Sequence, residues 1–486
     1  MTLRISFPPT RIRVIEGHQA LAASQPQKYL CIPMAPVIEA PDIYSQSYKR
    51  YVTGLLLVVY VLNRADATIF GFLMEPIKQD LGLSDGQLGF LAGPALVLFY
   101  ATLGIPVARL ADRSSRVNIM SIAIALWSGI VTLSAAVANF WHFALARIGV
   151  GIGEAGFSAV AQSLITDYHR SAERTRALSI FMLGIPLGKV VSSLGAGWIN
   201  QLYGWRMVFV VAGIPGIVLA LLMKWTVREP LRTSNDPLVA VREDQPSLRS
   251  VFTTLWRQRA VRHLAVGTGL ANIVCFSMLA WTPAFFVRNH AMATGELGTW
   301  LAFVSGVGGS LGIWLGGNLS SRPGSQDWRV RLRLIAAATA LITPVAVMTL
   351  WISPKEAALL ILLVGYILMF FFFGPAFSLV QELSGVNMRA TTASIFILIQ
   401  ALAGGVIGIQ MLGVLSDVLT QRLGSSALAL RWSMTLINLL ALWAAVHFWR
   451  AGQWIVKDAR ASDGASGAAN DPLTDSCQSA SYRGVS

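Results

Sequence analysis

Long apolar stretches, separated by short polar clusters, dominate the pattern of this 486-residue chain. A helix needs about 20 mostly apolar residues to cross the hydrocarbon core of a bilayer. The first half has six such stretches, at residues 51–74, 88–108, 118–138, 141–166, 177–200 and 206–226. The second half has six more, at residues 263–287, 297–320, 332–352, 357–382, 391–417 and 429–449. The pattern therefore predicts an all-α integral membrane protein with twelve transmembrane helices in two six-helix bundles.

The polar segments divide the chain into domains. Pro230, Pro237 and Pro246 lie in the one long polar stretch between spans, which we interpret as a cytoplasmic linker. Both ends of the chain have compositions typical of disordered segments. The predicted organisation is an N-terminal tail at 1–50, an N-terminal bundle at 51–227, the linker at 228–262, a C-terminal bundle at 263–450 and a C-terminal tail at 451–486.

Charge supports this interpretation and adds an orientation. Only 13% of the residues are charged, against about 25% in soluble domains, which excludes a water-soluble fold. The 38 Lys and Arg residues exceed the 24 Asp and Glu residues, so the net charge is +14. The sequence contains no nucleic-acid-binding module. Its basic residues concentrate in the loops on the same side of the membrane as the two termini. The positive-inside rule therefore predicts cytoplasmic termini, and the plasma (inner) membrane is the expected location.

Catalytic and metal-binding patterns are missing from the sequence. The six histidines are scattered over tails and span ends, and the three cysteines have no metal-ligand spacing. An ATP-binding loop is also missing, which excludes a self-powered pump. We therefore expect a protein that is not an enzyme and has no cofactor or metal. We also expect it to be a monomer. Its expected partners are a small-molecule substrate, protons and the lipid bilayer.

A charged motif follows the second span, where a short turn joins two helices. Asp112, Arg113 and Arg116 can pair with one another and with a helix N-terminus, and so form a conformational latch. Simple anchoring of the helix ends is the alternative. The segment resembles the Gly-x-x-x-Asp-Arg-x-Gly-Arg signature of the major facilitator superfamily, with Ala108 and Ser115 in place of its two glycines.

Small residues in the fourth and fifth spans extend this resemblance. Gly151 follows Arg147 in a pattern similar to the superfamily's Arg-x-x-x-Gly. Gly184, Pro186 and Gly188 resemble its glycine- and proline-rich fifth helix. Small residues at this spacing allow close helix packing and bending during transport.

A closer resemblance is to the spinster-like branch of the superfamily. The residues that carry it are Leu62 and Asn63 with Asp66, Glu75 to Ile77, Leu81 to Ser84, Gly104 to Pro106, Arg147 to Gly156, and Gly204 to Arg206. Animal members of the branch are linked to lysolipids and sphingoid phosphates, so the resemblance implies a lysolipid-like substrate. The branch usually has Arg after the Asp of the first span, whereas Ala67 follows Asp66 here.

Five ionisable residues lie well inside predicted spans, at a cost of about 3 kcal/mol each. They are Arg64, Asp66, Arg147, Glu154 and Lys189, all in the first half. Arg147 and Glu154 are two helical turns apart and share a face, and Asp66 lies at an intermediate depth. We predict that Asp66 or Glu154 binds a proton and that this weakens its attraction to Arg147, while a fixed ion pair is the alternative.

Lys189 has three possible roles. It could replace the missing cation beside Asp66, bind an anionic substrate headgroup, or extend to the lipid headgroups. The second half supplies aromatic residues, which suit the apolar part of a substrate or face lipid.

Together these features predict a secondary active transporter. It is expected to be proton-coupled and to move an amphipathic or anionic organic molecule by alternating access, and the resemblance implies a lysolipid-like one. An importer of a small organic acid is the alternative within transport. A membrane sensor or receptor without transport is the alternative from another class.

Overall fold

The computed structural model describes residues 44–155, 157–230, 253, 256–320, 327–383 and 388–469. Within these residues, twelve helices are long and apolar enough to cross a membrane, which confirms the predicted all-α fold. Each overlaps one predicted span. In chain order, α1 to α12 are Gln46–Leu81, Asp85–Ala111, Arg116–Ala136, Phe140–Tyr168, Glu173–Tyr203, Trp205–Thr226, Arg259–His290, Thr294–Ser320, Trp328–Trp351, Lys355–Leu383, Thr391–Leu423 and Ser426–Ile455.

Several of these spans have irregular backbone near their middle. α4 breaks at Ala155, and α5 breaks at Leu183, three residues before Pro186. Pro186 lies in the first turn of the second part of α5, where the missing N–H of a proline costs little. α8 and α11 contain wider π-helical turns at Val304–Gly308 and Ala401–Gly408. Interrupted spans are typical of transporters, in which irregular backbone lines the substrate path.

The last helix continues beyond its membrane span to Ala469. We expected a disordered tail from residue 451, but Ala451 and Ile455 are buried in an apolar cluster of the second half, and this packing prolongs the helix. Residues 470–486 lie outside the described residues, as do residues 1–43 of the predicted N-terminal tail and most of the predicted linker.

The two six-helix halves pack against each other at the end of the molecule where α1 finishes and α2 starts, here called the Asp85 end. There α2 contacts α11, α5 contacts α8 and α1 contacts α7. Glycines permit the close approach: a Cβ added to Gly197 of α5 would lie 2.5 Å from the carbonyl oxygen of Thr294 in α8. At the opposite end, called the Arg116 end because α3 starts there, the extensive helix contacts among the described residues stay within each half. The space between the halves is therefore closed at the Asp85 end.

Enlarging Gly197 should destabilise this closure. We expect Gly197→Leu to lower the stability by about 1–3 kcal/mol, because the new side chain overlaps the backbone of α8. Gly195 lies two residues away and has open space around an added Cβ, so Gly195→Leu is the matched control. Thermal melting of the detergent-solubilised protein measures both effects, and equal melting temperatures for the two variants would contradict the expected overlap.

Candidate substrate cavity and adjoining charged clusters

A cavity of about 360 Å³ lies between the two halves. Its volume is in the range of small-molecule sites. The first half lines it with Arg64, Thr68, Phe70, Ile185, Lys189, Ser192 and Ser193 among others, and the second half with Cys275, Phe276, Leu279, Tyr366, Phe370 and Phe373 among others. The two charged residues in this lining are both cations, and the second half contributes the larger aromatic surface. The described lining is therefore cationic on one side and apolar on the other.

Arg64 is the first cation of the cavity. Its guanidinium donates from Nε and Nη2 to Oδ1 of Asn63, at 2.9 and 2.5 Å, and lies 5.3 Å from the centre of the Tyr60 ring. It also interacts electrostatically with the carboxyl groups of Asp66 and Glu154. The neighbours of Arg64 in the structure are thus Asn63 and Tyr60.

Lys189 is the second cation. Its Nζ lies 4.6 Å from the centre of the Phe370 ring and close to Cys275, both of which belong to the second half. It forms no ion pair with Asp66 or any other carboxylate in the described part of the chain. Lys189 therefore lies in the cavity wall and not beside Asp66.

Asp66, Arg147 and Glu154 form a buried cluster beside the cavity, and none of the three is more than 4% exposed. Neither carboxylate oxygen of Asp66 receives a hydrogen bond from an N–H or O–H donor of the described residues. The carboxyl group of Glu154 is a neighbour of that of Asp66, and its Oε1 likewise receives no hydrogen bond from the described residues. Two neighbouring buried carboxyl groups with so few donors are costly to ionise together.

Arg147 connects this cluster to the cavity wall. Its guanidinium lies 4.9 Å from the centre of the Phe70 ring, and its Nε donates to the carbonyl oxygen of Leu91 at 3.2 Å. It interacts electrostatically with Asp66 and Glu154 without a direct salt bridge to either. Because Phe70 also lines the cavity, the ring separates Arg147 from the substrate space.

The small residues of α4 and α5 hold the helices around this cluster close together. Gly184 and Gly188 face α1, where an added Cβ would meet the ring of Tyr60 and the Cβ of Arg64 at 2.6 and 2.5 Å. Gly151 faces the backbone of Leu96 in α2 in the same way. These contacts hold α5 close to α1 and α4 close to α2.

The predicted latch residues lie at the Arg116 end. Arg116 is buried and donates to Asp167 at 2.6 Å and to Glu229 at 3.0 Å. It thereby ties α3 to the end of α4 and to the segment after α6. Arg113 is exposed, and the side chain of Asp112 lies outside the described residues. The sequence pattern contained Arg116 but not its two acidic partners.

A second buried cluster joins the two halves at the Asp85 end. Arg288 of α7 donates to both oxygens of Asp85, at 2.7 and 2.8 Å, and to Glu75 at 2.5 Å. Ser416 of α11 donates to Asp85 at 2.6 Å. Asp417 accepts from the backbone N–H groups of Asp85 and the next residue, at 2.9 and 2.7 Å, and so caps the start of α2 from the other half. The sequence did not indicate this cluster, because its charges lie at span ends, where charged residues are common.

Several known proteins are similar to this chain in sequence and in fold. An MFS-type efflux pump of Mycolicibacterium smegmatis is 31% identical over 405 residues, which cover 82% of this chain and 91% of the relative. A probable L-galactonate transporter of Escherichia coli is 27% identical over 59% of this chain, and the match spans 64% of that relative.

The solved structure of a bacterial homolog of the human lysosomal transporter Spinster, in an inward-facing and unoccupied conformation, superposes with a TM-score of 0.76. It is 27% identical and covers 85% of this chain and 99% of its own, which confirms the resemblance to the spinster-like branch. The family model of the Major Facilitator Superfamily matches residues 56–409. This chain therefore belongs to the major facilitator superfamily of membrane transporters.

Proposed function

We propose that this protein is a proton-coupled transporter that moves an amphipathic organic anion by alternating access. The observation that carries the proposal is the burial of two neighbouring carboxyl groups, Asp66 and Glu154, beside the cavity with oxygens that no described donor satisfies. Two neighbouring carboxyl groups favour a state in which only one is ionised, since two adjacent negative charges in a low dielectric are unfavourable. The pair is therefore suited to bind and release one proton during each cycle.

Arg64 provides the connection between proton and substrate. When the pair loses its proton, its added negative charge attracts Arg64 and Arg147 more strongly. Arg64 lines the cavity, so its guanidinium is drawn from the substrate towards the carboxylates. Protonation releases Arg64 to hold an anion, and the substrate anion then compensates its charge. Proton binding and anion binding thus favour each other.

The lining of the cavity favours an amphipathic substrate. Arg64 and Lys189 suit an anionic headgroup, while Phe276, Tyr366 and Phe370 suit an apolar tail. The likeness to a bacterial Spinster homolog and to an efflux pump supports this choice. A small organic acid is the second candidate, which the likeness to a probable L-galactonate transporter favours. Such an acid has no apolar part to contact the aromatic residues of the cavity lining.

The proposed setting is the plasma (inner) membrane, with cytoplasmic termini and a monomeric transporter. In this orientation the Asp85 end faces outwards and the cavity belongs to an inward-facing state. Opening to the outside then requires the Arg288 cluster to separate.

The carboxyl pair can be tested in liposomes that contain a pH-sensitive dye. Lysophosphatidylglycerol, lysophosphatidylcholine and L-galactonate are added in turn, and proton movement is recorded. We expect a substrate-dependent proton flux that falls at least about tenfold in Asp66→Asn and in Glu154→Gln, because neither variant retains a pair that shares a proton. The exposed Asp80 provides the control variant Asp80→Asn, which should keep the flux. Full pH-driven transport by both test variants would exclude this pair as the coupling site.

Lys189 can be tested by comparing a charged with a neutral substitution. We expect Lys189→Gln to weaken lysophosphatidylglycerol binding about tenfold or more, the size of a charge-assisted hydrogen bond, and to weaken lysophosphatidylcholine binding less, because the choline cation offsets the charge of that lipid's phosphate. Lys189→Arg keeps the positive charge and should retain most of the affinity. Binding is measured by scintillation proximity with radiolabelled lipid. An equal loss for both lipids would instead indicate a packing role for Lys189.

The Arg288 cluster can be tested by a distance measurement across the Asp85 end. We expect Arg288→Gln to increase the population of outward-open molecules, because Asp85 loses its main partner between the halves. Spin labels on exposed Tyr203 of α5 and Leu423 of α11 report the separation by electron–electron resonance. Arg206→Gln, which breaks a solvent-exposed pair with Asp80, is the control and should leave the distances unchanged. Identical distance distributions for the two variants would count against the cluster as a gate.

A further inference from the structure

A second cavity, of about 630 Å³, lies at the Arg116 end between the start of α7 and the end of α12. It shares no lining residue with the substrate cavity. Its described lining consists of Trp256, Arg259, Arg262, His263, Val266, His447, Arg450, Gln453 and Trp454. Three arginines and two histidines are thus gathered without an acidic residue among the described lining. The three arginines therefore give the cavity a concentrated positive charge.

The side chains of this basic cavity are held in place by aromatic contacts. The Arg259 guanidinium lies 4.4 Å from the centre of the Trp454 ring. The Nδ1 atoms of His263 and His447 are 3.0 Å apart, so one imidazole donates a hydrogen bond to the other. Arg262 and Arg450 make no ion pair with a carboxylate of the described residues. Their guanidinium groups are therefore available for an anion.

The neighbouring surface indicates an anion that carries an apolar part. His447, Arg450 and Trp454 follow one face of α12, and the same face continues towards the membrane middle with Trp443, which is 56% exposed. Trp443 packs beside His447, with ring centres 6.0 Å apart. On α7, Val266 is 39% exposed and borders the cavity from the other side. A positive cavity at the end of two spans thus adjoins a lipid-facing apolar surface.

We propose that this basic cavity binds the headgroup of an anionic phospholipid. Arg262 and Arg450 hold the phosphate by charge-assisted hydrogen bonds, since guanidinium groups match the geometry of phosphate oxygens. Trp256 and Trp454 lie at the depth of the headgroups, where tryptophan is favoured. The acyl chains lie along Trp443 and Val266. Basic clusters between the ends of transmembrane helices are suited to such headgroups.

Lipid retention by the purified full-length protein tests the proposal. The protein is titrated in a neutral detergent with dioleoylphosphatidylglycerol, dioleoylphosphatidylcholine or inorganic phosphate, and bound ligand is counted by native mass spectrometry. We expect phosphatidylglycerol to bind more tightly than the other two. The Arg262→Gln/Arg450→Gln variant should lose at least about tenfold in phosphatidylglycerol affinity, because both guanidinium groups that hold the phosphate are removed.

Two further variants control for lost charge and for misfolding. Arg176→Gln/Arg333→Gln removes two exposed arginines at the same end but outside the cavity, and should bind phosphatidylglycerol like the wild type. Arg262→Lys/Arg450→Lys keeps the charge and should recover part of the affinity. An unchanged affinity in Arg262→Gln/Arg450→Gln, or an equal loss in the control variant, would overturn the proposal. Phosphatidylcholine or inorganic phosphate binding as tightly as phosphatidylglycerol would overturn it as well.

Discussion

A charge within the hydrocarbon region must find its compensation inside the protein, because neither water nor lipid tails provide it. This constraint organises the first half of the molecule. Arg147 lies against the ring of Phe70 and the carbonyl oxygen of Leu91, and the carboxyl groups of Asp66 and Glu154 face each other. Close packing of α1, α2, α4 and α5 holds these groups in place. The glycines along these helices therefore allow both the close packing and the placement of the buried charges.

The two halves contribute different chemistry to the space between them. The first half supplies Arg64 and Lys189, and the second half supplies Phe276, Tyr366 and Phe370. Lys189 bridges the two, since it belongs to α5 but lies over Phe370 of α10. A movement of one half against the other therefore changes the surroundings of this cation directly. In the proposed transport cycle, that contact would couple substrate affinity to the opening of the cavity.

The fold was predictable from the sequence because a bilayer requires long apolar stretches, and such stretches can be counted. The buried group of Asp66, Arg147 and Glu154 was also predictable, since a charge inside a span is rare. The partners of Arg116 and Arg288 could not be predicted from the sequence. Asp167 and Glu229, like Asp85, lie near span ends, where a charge is ordinary, and only the packing of distant segments reveals their contacts. The length of α12 was missed because burial of Ile455, not composition, extends it.

The carboxylate of Asp417 has a consequence for how the Asp85 end separates. It completes the hydrogen bonding of the α2 N-terminus from the opposite half, so two backbone N–H groups of α2 have a protein partner while that end is closed. In the proposed transport cycle, water takes the place of Asp417 at both groups when the halves part. The open and closed states therefore bind different numbers of water molecules. Water activity becomes a thermodynamic variable of the transport cycle, alongside proton and substrate concentration.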